Sequence, residues 1–144
     1  MIPSRPILNQ MRSRIVREAA ILPDEDIQLE NELISTSGKK LWISEYFIGG
    51  EDEAASNIST RQSAIVEYDI HIPVGRGTTT ADEVANDIMN EFNPVDPQRN
   101  RVAVPAYPNV DINVIRTGVA SARTESGVWY ILPVLIYLEI TDGR

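Results

Sequence analysis

The chain has 144 residues, with 13 Lys and Arg against 21 Asp and Glu, a formal net charge of −8. That length suits one average domain burying roughly 68–70% of its unfolded surface, and 42% hydrophobic with 24% charged residues excludes collagen, coiled coil and wholesale disorder. The acidic balance argues against a general nucleic-acid binder, and the lack of cysteine excludes disulfide frameworks, thiolate metal sites and cysteine nucleophiles.

Met1–Arg5 leads into a charged amphipathic stretch, so no targeting segment is expected. The first element reads as a helix. Ser4 is placed to cap it, Pro6 fits its first turn, and Leu8, Met11, Ile15, Ala19 and Leu22 recur at spacings of three and four. Arg5, Arg12, Arg14 and Arg17 fall mostly off that stripe. Pro23 stops the helix, and Asp24, Glu25 and Asp26 follow as a solvated link. Ile27, Leu29, Leu33 and Ile34 predict a strand, Ser35–Gly38 a turn and Leu41–Ile48 a second strand, together a β-hairpin. Gly49–Thr60, with Glu51, Asp52 and Glu53, reads as a polar loop long enough for a functional or partner-ordered segment.

The clearest strand follows. Ala64, Val66, Tyr68, Ile70 and Ile72 alternate with Glu67, Asp69 and His71, which predicts one buried and one polar face. After the turn Pro73–Thr79 comes a helix with Thr80 and Glu83 spaced as a capping box. Ala81, Val84, Ala85, Ile88, Met89 and Phe92 form its apolar stripe, and Asp82, Glu83, Asn86, Asp87, Asn90 and Glu91 its solvated face. Asn93 and Pro94 end it. Pro94, Pro97, Pro105 and Pro108 make 93–108 a loop, with a short extended piece at Arg101–Val104. Val110, Ile112 and Val114 mark another strand, and Thr117–Ser126 a hairpin turn or long connection. Val128–Ile140 is apolar at both parities, as a central strand covered on two faces would be. Its apolar run is about half a membrane span and holds Pro133, so no membrane contact is expected. The sum is one domain, residues 1–144, of α/β (α+β) class. It has a mixed β-sheet with an N-terminal helix and a central amphipathic helix packed on it, plus a β-hairpin extension.

The chemistry-bearing residues form no catalytic constellation, and no cofactor or metal site is expected. Gly75-Arg76-Gly77-Thr78-Thr79-Thr80 lies between a strand and a helix N-terminus, where backbone amides favour anions. It lacks the third glycine of a dinucleotide fingerprint and the Gly-Lys-Ser/Thr of a phosphate loop, so a tight connection is the expectation and an anion or nucleotide site the alternative. His71, the sole imidazole, reads as a surface or interface residue, since no serine lies in a nucleophile-elbow pattern. The acidic runs 24–26 and 51–53 lack calcium-loop spacing and read as solvated charge. The aromatics on the strands read as core, because no Lys or Arg interleaves them as a base-stacking platform would need.

Tyr68-Asp69-Ile70-His71-Ile72-Pro73-Val74-Gly75-Arg76-Gly77, followed by Ala81, Val84, Ala85, Ile88 and Phe92, resembles the middle of the tail terminator proteins of long-tailed bacteriophages. Gly127-Val128-Trp129-Tyr130-Ile131-Leu132-Pro133-Val134-Leu135-Ile136-Tyr137 is similar to that family's closing strand. Gly49–Thr60 and 93–108 depart from the pattern. The resemblance implies a virion protein without enzymatic activity, assembled in the host cytoplasm. It implies a homo-hexameric ring on the head-proximal end of the tail tube. That ring stops polymerisation of the tail tube protein and presents a surface to the head–tail connector or stopper, and genomic DNA crosses its lumen. A neighbouring neck adaptor of the same virion region is the alternative within the class, and a monomeric module with an acidic binding face an alternative outside it. Six copies would carry six times −8 charges, an acidic conduit that repels phosphate. The expectation is that the acidic helix face or Glu51–Glu53 lies near the lumen, and that Arg12, Arg14 and Arg17 meet acidic groups on a neighbouring copy.

Overall fold

A computed structural model describes residues 3–56 and 59–143. It is an α+β fold with one six-stranded mixed sheet, as expected. Helix α1, Ser4–Ser13, continues into a single π turn at Arg14–Glu18, and Pro3 rather than Ser4 stands at the N-cap position. Ile7, Leu8, Met11 and Ile15 are its buried face. The chain then turns through Ala20, at φ +51°, and a 3-10 turn at Asp24–Asp26.

The N-terminal hairpin is not formed. Strand β1 is only Ile27–Gln28, and it pairs parallel with the start of β2, Trp42–Ser56. Leu33, expected in a strand, is 92% exposed. The hairpin of this fold is instead β2 with β3, Ser59–Pro73. Most of the expected polar loop at 49–60 is therefore strand backbone, because ladder hydrogen bonds need no apolar side chains. Register shifts between Gly49 and Asp52 and between Ala54 and Ser56 absorb its irregularity.

Helix α2, Thr79–Glu91, follows β3, and its stripe Ala81, Val84, Ala85 and Ile88 is buried, with Phe92 at its C-cap. Thr78 holds the N-cap position without a side-chain bond, so Thr80 and Glu83 do not form the expected capping box. Strand β4, Val110–Val119, short β5, Arg123–Glu125, and β6, Trp129–Gly143, complete the chain. Sheet order is β1-β2-β3-β6-β4, with β5 beside β6. The expected central strand is central: β6 lies antiparallel between β3 and β4.

Alternation divides the sheet cleanly. Ile43, Val66, Tyr68, Ile70, Val134 and Ile136 share one core with α1 and α2. The proline-rich segment adds Val102 and Val104 to that core and bridges β4 through Arg101 and Asn113. On the other face, Trp42 pairs with His71, Ser44 with Asp69 and Tyr46 with Glu67.

Candidate functional site

The second sheet face carries a row of titratable groups. Glu67, Asp69 and His71 alternate along β3, so a period of two puts all three on that face. His71, expected at a surface or an interface, is 4% exposed within its own chain. The indole of Trp42 on β2 lies flat on its ring at 3.6 Å between centroids, and Trp129 on β6 meets both edge-on. Burial lowers its pKa from the usual 6.5, against the backbone carbonyl of Asp69, bonded to Nδ1 at 2.9 Å.

Asp69 is 2% exposed and accepts from Arg123 on β5 at 3.0 Å. Its other oxygen, Oδ1, is buried and has no donor among the described residues. A hydrogen bond to Asp69, then burial and the Asp69 charge, push Glu67 up to about 7, with Arg123 opposing. Glu67 therefore titrates near neutral pH. The strand pattern offered these residues as a solvated face; their burial comes from the tryptophans and β5, which only tertiary pairing brings over them.

Two other clusters tie the helices to the sheet. Arg12 on α1 donates to Glu45 on β2 at 2.7 Å, and Tyr68 on β3 donates to the same carboxylate at 3.0 Å. Burial pushes the Glu45 carboxyl up, against the pull of Arg12 and Tyr68. Arg14, at the π turn, donates to the Glu91 carboxylate at 3.1 Å and to the backbone carbonyls of Glu91, Arg99 and Arg101. Its guanidinium also lies 4.5 Å from the centre of the Phe92 ring. Arg12 and Arg14, expected to meet a neighbour's acids, make these ion pairs within their own chain, and Arg17 is exposed. Glu91, placed on the solvated helix face by periodicity, is 7% exposed between Arg14 and Arg99.

The turn at Gly75 and Gly77 has φ of +87° and +75°, and no atom lies within 4 Å of where a Cβ would stand. Glycine is needed there for backbone conformation and not for close approach. A cleft of about 320 Å³ beside it is lined by Lys40, Leu41, Ile72, Pro73, Arg76 and Thr80. Of the acidic runs, Asp26 pairs with Lys39, and the side chains of 51–53 lie outside the described residues. Among the described residues no three His, Asp or Glu side chains are arranged to hold a metal ion, and no helix is long and apolar enough to cross a membrane.

No protein-family model and no curated protein matches this sequence. Several solved structures share this fold; one of them matches with a TM-score of 0.66 over 97% of this chain and 96% of its own, at 13% identity. At that identity the likeness shows the fold: the whole chain, helices and sheet together, follows a path seen in another protein.

Proposed function

We propose that this chain is a structural virion subunit, a tail terminator that forms a six-membered ring on the head-proximal end of a bacteriophage tail tube. The observation that carries the reading is the placement of the resembling segments. Tyr68–Gly77 closes β3 and leads into α2, and 127–137 contains the first part of β6. Strands β3 and β6 pair along their whole length, and α2 packs on both, so the segments form one contiguous unit.

The chemistry of the buried charges supports a scaffold role. Arg12 with Glu45, Arg14 and Arg99 with Glu91, and Arg123 with Asp69 are all spent on joining elements to one another. Such ties fix orientation at little net gain in stability, a use suited to a subunit that must present constant surfaces. The net charge of −8 per copy suits a passage through which DNA slides without sticking.

The test is tube capping. Purified chain is added to tail tube protein polymerising in vitro, the tube protein being taken from a reading frame adjacent to this one. Short tubes carrying a ring at one end support the proposal. Unchanged tube lengths with binding to the head–tail connector alone transfer the chain to the neck adaptor reading. Unchanged lengths with binding to neither remove it from the tail altogether.

A further inference from the structure

We infer that copies of this chain join head to tail through the sheet, the free edge of β2 in one copy pairing with the free edge of β4 in the next. This deepens the ring reading and rests on it. A closed ring needs two different, complementary patches on each protomer. The two outer strands of one sheet supply such patches, because any open edge presents unpaired backbone donors and acceptors.

Both edges are partly capped, and the caps leave matching gaps. Strand β1 covers β2 only at Ile43 and Ser44. The 100–102 segment covers β4 only near Ile112–Val114, through the Arg101–Asn113 bridge and backbone bonds from Val102 to Ile112 and from Val114 to Asn100. Among the described residues, no strand pairs with the outer side of β2 beyond Ser44 or of β4 beyond Val114. The register places these gaps at one height. Ile48 lies opposite Ile65, Ile65 opposite Tyr137, and Tyr137 opposite Arg116.

Direction fits as well. Each of the pairs β2·β3, β3·β6 and β6·β4 is antiparallel, so β2 and β4 run in opposite senses. A second copy set alongside in the same orientation therefore brings β4 antiparallel to β2. A stagger of a few residues within the gaps gives the strand tilt that a closed barrel requires.

Side chains mark the same places. Ile48 on β2 is 50% exposed, and on β4 Ile115 is 54% and Val119 51% exposed. Apolar residues on an open edge invite association, and natural sheets avoid them unless something covers them.

The test uses the absence of cysteine from the chain. Ile48→Cys, Ile115→Cys and the double variant are treated with a short bismaleimide, which tolerates an offset of a residue or two. The double variant is expected to give a ladder of linked oligomers, and each single variant alone to stay unlinked. Ile48→Lys, at an exposed position, is expected to lose assembly while its melting temperature stays within a degree or two of wild type. A ring seen by light scattering, with neither linking in the double variant nor loss in Ile48→Lys, overturns the edge pairing and leaves the ring reading standing. Linked dimers from either single variant overturn the head-to-tail arrangement. A strict monomer at every concentration, without linking, overturns both readings.

Discussion

Arg12 and Glu45 face each other at 2.7 Å across the joint between α1 and the sheet, and the Glu45 side chain is fully buried. Their attraction opposes the cost of withdrawing both charges from water, and the two nearly cancel in most buried pairs. Breaking the pair is another matter. Arg12→Ala leaves a buried carboxylate with Tyr68 as its remaining partner, and is expected to cost about 3–5 kcal/mol by urea denaturation. Replacing the pair together, Arg12→Met with Glu45→Leu, is expected within about 1 kcal/mol of wild type. Equal losses in the single and double variants would contradict this account.

Arg14 makes a second joint, and it depends on shape as much as on charge. One planar guanidinium reaches the Glu91 carboxylate and three carbonyls around the end of α2. A lysine offers one ammonium in place of that fork. Arg14→Ala is expected to cost about 3 kcal/mol, and Arg14→Lys to recover less than half of it. The loss should appear in amide exchange first at the end of α2 and in 99–102, because Arg14 joins the Glu91 carbonyl to those of Arg99 and Arg101.

Much of the fold was legible because its pattern is local. Alternation in 64–72, the apolar run in 128–140 and the 3.6-residue stripe of α2 each depend on neighbours in sequence. What sequence misassigned depends on partners. Ile27 and Gln28 look like half of a hairpin, but their choice of a parallel place beside β2 is set by the path of α1 and the loop after it. Gly49–Ser56 looks like loop because its residues are polar, yet β3 offers a ladder long enough to continue. Asp69, His71 and Glu91 look solvated because each sits on the polar side of its period. Trp42, Arg123 and Arg14, all distant in sequence, are what cover them.

The buried face predicts a divided response to pH. Glu67, raised from 4.5 to about 7, binds its proton more tightly folded than unfolded. Its contribution is full below the unfolded value and is lost as pH rises through the folded one. His71, lowered from 6.5, acts oppositely: its contribution is present above that value and is lost as pH falls below it. Glu67→Gln keeps a neutral donor to Asp69 at all pH values. From about pH 5 to about pH 8, wild type is expected to lose about 1 kcal/mol relative to Glu67→Gln, after discounting for solvent screening. Thermal melts at several pH values read this directly, and parallel curves for the two proteins would refute the raised Glu67 value.

The glycine turn before α2 predicts a cost in backbone strain and no ligand. At Gly77, with φ +75°, alanine is expected to cost about 1–2 kcal/mol. Inorganic phosphate or nucleotides at millimolar concentration are expected to leave the melting temperature unchanged. A saturable rise that Arg76→Ala abolishes would move the function to an anion site at the cleft lined by Lys40 and Arg76.

Native mass spectrometry over a range of concentrations tests the ring most directly. A six-membered ring gives a closed species at six times the 16.1 kDa protomer mass, with no series of larger open forms. A monomer alone at every concentration, or a ladder of masses without a closed end point, would contradict it.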